Sequence, residues 1–195
     1  NKQAGKDTIG TFQNLAQEVE RINKNEEQFI VIAFTLEKDY YLAKFDKNEQ
    51  STNILEIPVI GISAPIIFSE TTDKKVLAKD LKKGVIVYPG SVLPGENGLT
   101  VVLGHSSPPN WPKVRYDWVF NDLNSLNLGD KIFFNLNNKK YTYRVIKKEI
   151  IEKGQELTSN GLTSSGNVIV LVSCWPPGKD WKRIVIYAKL SISSN

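Results

Sequence analysis

The chain is short of the residues that usually carry redox or metal chemistry. Its 195 residues include one cysteine, Cys174, one histidine, His105, and no methionine. A single thiol excludes an internal disulfide and a Cys-rich zinc site. It does not fix the compartment, because a lone thiol suits the cytosol and equally a secreted protein that avoids mispairing. Long apolar runs are also missing. The run at residues 29–34 is about a third of the roughly 20 residues that a membrane span needs. Charge forms no block of one sign: 25 Lys and Arg against 21 Asp and Glu leave a formal net charge of +4. That balance suits an anionic surface such as a cell envelope, but it lacks the clustered basic residues and interleaved aromatics of a nucleic-acid binder.

What is present is a chain long enough for one domain with a substantial core, plus an appendage. Over residues 9–22 the apolar residues Ile9, Phe12, Leu15, Val19 and Ile22 recur at spacings of three and four, which predicts an amphipathic helix. Residues 29–41 do not separate strand from helix, and the amide-rich stretch 44–53 reads as a linker. The expected division is therefore an appendage over 1–50 and a main domain over 51–195.

Beyond the linker the texture changes to short β-type runs punctuated by Gly, Pro and Asn. Pro58 and Pro65 inside residues 54–68 predict edge strands or a bent entry strand, since proline cannot donate to a ladder. Residues 72–81 read as one short helix with Asp73 near its start, and 84–88 as a strand. Trp118, Val119, Leu123 and Leu126 have helical spacing, which predicts a second helix over 116–126. Runs at 131–136 and 140–146 predict a hairpin across Asn137-Asn138-Lys139. Many short strands with few helices argue for a closed β-barrel or a sandwich.

The chemistry gathers around two strand ends. Cys174 closes the apolar run that starts at Val168, a Trp-Pro-Pro-Gly turn follows, and a second run starts at Arg183. Two strands around a rigid turn bring the thiol and the guanidinium to the same small volume. His105 ends another strand-like run over 99–104. Taken singly, such a Cys is usually a small buried hydrophobe, such a His structural and such an Arg a surface charge. Their joint placement at strand ends beside Pro/Gly-rich turns points instead to a cleft on a rigid scaffold. A cysteine attacks carbonyls as its thiolate and needs a cationic neighbour or a base. That chemistry assigns Cys174 as nucleophile and His105 as general acid then base. It leaves Arg183, which cannot give up a proton, as an electrostatic clamp.

The segment Leu171-Val-Ser-Cys174-Trp-Pro-Pro-Gly, followed by Arg183-Ile-Val-Ile, resembles the active-site segment of the sortase family. Thr100-Val-Val-Leu-Gly-His105-Ser resembles that family's Gly-His strand end. Stretches at 55–65, 84–95 and 119–130 fall where a sortase has them, in the same order. The resemblance runs from Leu55 to the C-terminus. It implies a mainly β fold, a sortase-type closed barrel of about eight strands with short helices and an N-terminal helical appendage. It also implies a cysteine transpeptidase that cleaves a Leu-Pro-x-Thr-Gly-like sorting signal between Thr and Gly. The thioacyl-enzyme passes the protein to an amine acceptor, a peptidoglycan precursor or a pilin lysine. Ser173, Trp175, Val172 and Ser106 are expected beside the substrate. The implied setting is the extracellular face of a bacterial membrane, with anchoring by a segment outside this sequence, and without nucleic acid.

Departures from the family pattern bear on this reading. Ser173 stands where Thr is commoner and keeps a hydroxyl, and Trp175 is large enough to wall the cleft. The aromatic stretch 106–117 is placed to shape the acceptor side. No Asp-Pro-aromatic lid precedes Leu55, which tilts the expectation toward anchoring or a specialised class rather than pilus building. No cofactor or metal is expected: Glu149, Glu152 and Glu156 read as solvated carboxylates rather than calcium ligands. A papain-like protease is disfavoured because its Cys precedes its His and opens a helix. The alternative from another class is a degenerate barrel that binds peptides without cutting them.

Overall fold

The computed structural model describes residues 53–111, 113, 116–157 and 166–191. The expected helix over 9–22, the ambiguous stretch 29–41 and all of the linker except Asn53 lie outside these residues. Among the described residues, no helix is long and apolar enough to cross a membrane.

Eight strands form a closed barrel: β1 (Ile54–Ile57), β2 (Ile62–Phe68), β3 (Val85–Val87), β4 (Gly98–Leu103), β5 (Lys131–Leu136), β6 (Lys139–Glu152), β7 (Asn167–Trp175) and β8 (Lys182–Leu190). Around the barrel they run β1-β2-β3-β4-β7-β8-β6-β5, and β5 closes onto β1. Two contacts are parallel, β2 with β3 and β4 with β7, and the rest are antiparallel. The core is aliphatic and aromatic, with Leu55, Ile86, Leu123, Ile132, Phe134, Tyr143, Ile169, Leu171 and Tyr187 fully buried.

Closure changes what the two prolines do. They were expected to mark edge strands or a bent entry strand; β2 is paired on both sides, so it is not an edge, and the chain bends at Pro58. Pro58 opens a 3-10 turn over Pro58–Ile60, where a missing N–H leaves nothing unsatisfied. Pro65 lies inside β2, but the ladder to β3 starts one residue later at Ile66↔Val85. The Ile66 amide bonds the Asn53 carbonyl on the β1 side, so by alternation the Pro65 nitrogen faces the β3 side, just before that ladder begins. Gly84 completes the fit, because a Cβ there would lie 2.1 Å from the Pro65 carbonyl oxygen.

The single α-helix among the described residues, α1 (Lys74–Leu81), is the crossover that the parallel β2–β3 pair needs. Asp73 caps it as the sequence suggested, its carboxylate accepting from the amides of Lys75 (2.9 Å) and Val76 (3.1 Å). The hairpin also forms, with a difference of one residue. Lys139 pairs with Leu136, so the turn is only Asn137-Asn138, both with positive φ (49° and 61°). Two such residues match the right-handed strand twist, and asparagine tolerates that backbone well.

The second helix expected over 116–126 does not form. The segment is a series of turns ending in a 3-10 helix at Leu123–Ser125. Of the residues in that pattern Val119, Leu123 and Leu126 are buried at 0–1% exposure, as is Phe120 beside them, while Trp118 is half-buried. The backbone bonds go elsewhere: Val119 and Asn121 donate three residues back, and Phe120 donates to the carbonyl of His105 (2.9 Å). Tertiary pairing with the histidine loop has taken an amide that an α-helix would have used.

Replacing Gly84 with alanine is expected to force β2 and β3 apart at Pro65 and cost on the order of 2 kcal/mol. Urea denaturation of the whole chain checks this, with an unchanged midpoint counting against the assignment.

Candidate active site

β7 and β8 pair antiparallel, and Cys174 lies directly opposite Arg183 in the register. Side chains of opposed residues project to the same face, with Cβ atoms roughly 5 Å apart. The shared space inferred from the sequence is therefore a consequence of strand register. On that face Val168, Val170, Val185, Tyr187 and Ile151 form one buried cluster, with Leu99, Val101, Leu157 and Val172 packed partly exposed against it. Cys174 thus stands at the end of an apolar strip.

His105 arrives by the parallel ladder between β4 and β7, whose last pair is Leu103↔Val172. The two strands leave that ladder together, so the residues just past their ends remain neighbours. Three further bonds hold them: Gly104 N–H donates to the Val172 carbonyl (3.2 Å), the Ser173 hydroxyl to the Gly104 carbonyl (2.8 Å), and the Ser106 hydroxyl to the Cys174 carbonyl (2.9 Å). Ser173 is buried at 3% exposure. Trp175 is half-buried opposite Lys182, and Val172 is half-buried in the apolar strip.

The loops beyond these strand ends are pinned as well. Asn121 accepts from the amide of Ser107 (2.7 Å), and the Ser107 hydroxyl donates to the Asp117 carbonyl. Gly178, in the turn after Cys174, has φ of 76°, and a Cβ there would meet the nitrogen of Pro108 at 2.5 Å. The turn that carries the cysteine and the loop that carries the histidine are in backbone contact at this glycine. Together they enclose a cleft of about 380 Å³ lined by His105, Ser106, Pro108, Trp111, Cys174 and Asp180, among others. Trp111, from the aromatic stretch expected on the acceptor side, is 56% exposed at its wall.

The electrostatics keep both reactive groups neutral at rest. Burial pushes the Cys174 thiol above its usual pKa, Asp180 adds to that by charge and hydrogen bond, and Arg183 and Lys153 oppose it. Burial lowers the His105 pKa and Lys82 adds slightly, while the Asp117 charge raises it. Asp180 was not singled out from the sequence. One of its oxygens lies 2.7 Å from Arg183 Nη2 and 3.7 Å from Cys174 Sγ, and the other is bonded to Lys153. Its spacing of three from Arg183 was the available signal; Lys153 and Asp117 gave none, since only the fold brings them here. Two of the three glutamates considered for calcium have other partners: Glu149 pairs with Lys147 and accepts from Tyr187, and Glu152 pairs with Lys182.

Comparison with known proteins agrees with this architecture. A match to the Sortase domain family covers residues 55–191. The chain belongs to the sortase family. It is 34% identical over 143 residues to Sortase D of Bacillus subtilis (strain 168), a match covering 72% of this chain but only 64% of that relative. Among solved structures it is similar to sortase C-1 from Actinomyces oris, with a TM-score of 0.60, 20% identity and coverage of 78% and 82% of the two chains. Sortase C from Clostridium perfringens SM101 gives 0.53 at 26% identity, over 72% of this chain and 69% of that one. The likeness to the Actinomyces structure is one of fold, and the resemblance read from the motifs of this sortase agrees with it.

In this sortase the contact at Gly178 sets how closely the Cys174 turn approaches the His105 loop. Gly178→Ala is expected to destabilise the fold by about 1–3 kcal/mol, from positive-φ strain and the clash with Pro108. A thermal melt beside that of the parent chain tests this, and an equal melting temperature would contradict it.

Proposed function

We propose that this sortase is a cysteine transpeptidase acting on Leu-Pro-x-Thr-Gly-like sorting signals. The observation that carries the reading is the convergence, in one cleft, of the chain's only thiol and only imidazole beside an arginine held opposite that thiol. In this reading Cys174 Sγ attacks the carbonyl carbon of the Thr-Gly bond and Arg183 stabilises the oxyanion that develops. His105 protonates the departing glycine amine, and its neutral form then takes a proton from the incoming amine as that amine attacks the thioester. Collapse of the tetrahedral adduct breaks the C–S bond and expels the Cys174 thiolate, which with the His105 imidazolium restores the starting pair.

The apolar strip of Val172, Val101, Leu99 and Leu157 leads away from Cys174 and suits the Leu-Pro end of such a signal. Trp175 and the Ser106 loop stand beside the scissile bond in this arrangement, while the Ser173 and Ser106 hydroxyls fix the backbone that carries the thiol. The exposed Trp111 lies on the His105 side, where an amine acceptor from the cell wall or a pilin lysine would enter. Residues 1–50 are read as an appendage that positions the domain near the membrane, a division supported by the start of the family match at residue 55.

The test is mass spectrometry after incubation with a panel of sorting-signal peptides. A thioacyl adduct is expected in the whole chain and in a chain lacking residues 1–50, and none in Cys174→Ala. Absence of an adduct across the panel would favour a barrel that binds peptides without cutting them.

The pH profile follows from the opposite shifts of the two groups. Attack needs the thiolate together with the imidazolium, yet Cys174 lies above the usual thiol pKa and His105 below the usual imidazole pKa. The active pair is then the minority form, and its population is level between the two values. A bell-shaped kcat/KM is expected, with an acid limb below the ordinary histidine range and a basic limb above the ordinary thiol range. A basic limb at or below the ordinary thiol range would show that the thiol is not held up as described.

A further inference from the structure

The mechanism above leaves Asp180 without a task, although its carboxylate sits on the reacting groups. Its Oδ1 lies 2.7 Å from Arg183 Nη2 and 3.7 Å from Cys174 Sγ, so one anionic oxygen occupies the space between guanidinium and thiol. A scissile carbonyl oxygen developing negative charge would be drawn to that space. While Asp180 fills it, the guanidinium donates to an internal anion, and a negative charge faces the atom that must itself become negative.

Two further observations separate an obstruction from a support. Arg183 is held without Asp180, because its Nη1 donates to the Lys182 carbonyl at 2.8 Å. The carboxylate is also free to leave: it belongs to the turn between β7 and β8, its side chain is 58% exposed, and its other oxygen is tied only to the exposed Lys153. Salt bridges this open are weak and break without disturbing a fold.

We propose that Asp180 is a resting-state latch that engages Arg183 and covers Cys174 until the backbone of an incoming peptide displaces it. This rests on the transpeptidase reading above. The charged and titratable groups around the thiol are Arg183 on β8, Asp180 and Lys179 in the turn, Lys153 after β6, and His105 and Asp117 across the cleft. Of these, Asp180 alone both touches the sulfur and opposes its ionisation. Lys153, by holding the second oxygen, keeps the latch closed in the absence of substrate.

The experiment compares the whole chain with Asp180→Asn and Asp180→Ala. The first readout is the rate of Cys174 alkylation by iodoacetamide across pH, which needs no substrate; the second is the rate of thioacyl formation with a sorting-signal peptide. Both variants are expected to melt as the parent does, to alkylate roughly three- to tenfold faster near neutral pH, as removal of one adjacent charge allows, and to acylate faster. Alkylation that is unchanged or slower in both variants overturns the latch. Faster alkylation with slower acylation overturns it too, and assigns Asp180 to positioning Arg183. If neither parent nor variants acylate with any peptide, the transpeptidase reading fails, while the alkylation rates still decide whether Asp180 restrains the thiol.

Discussion

The parallel ladder between β4 and β7 is the constraint on which the rest of the site depends. It joins strands far apart in the chain, with the β5–β6 hairpin between them, and it ends at Leu103↔Val172. Because both strands run the same way, both emerge at the same end of the barrel, one carrying His105 and the other Cys174. The bonds Ser173 to Gly104 and Ser106 to Cys174 continue the pairing past the ladder. An antiparallel pair would have sent the two reactive residues to opposite ends.

Around that ladder the protein uses rigid pieces rather than long side chains to hold geometry. The register of β7 and β8 faces Cys174 with Arg183, and the turn between them meets the histidine loop at Gly178, where a methyl group would not fit. The segment after Tyr116 gives up helical bonding so that Phe120 can donate to His105 and Asn121 can accept from Ser107. Local propensity has been traded for placement of the histidine loop. The barrel supplies the rigidity, and the variable chemistry lies on turns at one end.

The electrostatic character of the site also follows from its architecture. The cleft partly desolvates both groups, which disfavours the charged form of each and moves the two pKa values apart. Arg183 counters this for the thiolate, and Asp180 works against Arg183 from the same turn. On the proposed transpeptidase reading, a pair built this way is in its active form in only a minority of molecules at any moment.

The strands, the hairpin and the capped helix were legible in the sequence because each rests on local chemistry: β-branched runs, paired asparagines, an aspartate before a helical run. Cys174 and Arg183 were legible as a pair because a short turn leaves their strands little choice but to face each other. The pairing of β2 with β1 on one side and β3 on the other was not, and so Pro58 and Pro65 read as signals of edge strands or a bent entry strand. The helical spacing over 116–126 predicted the burial of Val119, Leu123 and Leu126 but not that of Phe120, left Trp118 only half-buried, and predicted secondary structure incorrectly, since periodicity reports which face is apolar and not where the amides bond. What the sequence determined by itself is the set of candidate reactive groups and the strand ends that carry them. What only the tertiary structure decided is which charges meet those groups: Lys153 reaches the thiol, and Asp117 and Lys82 reach the imidazole, from elements remote in the chain, and an electrostatic field depends on distance in space, not on position along a sequence.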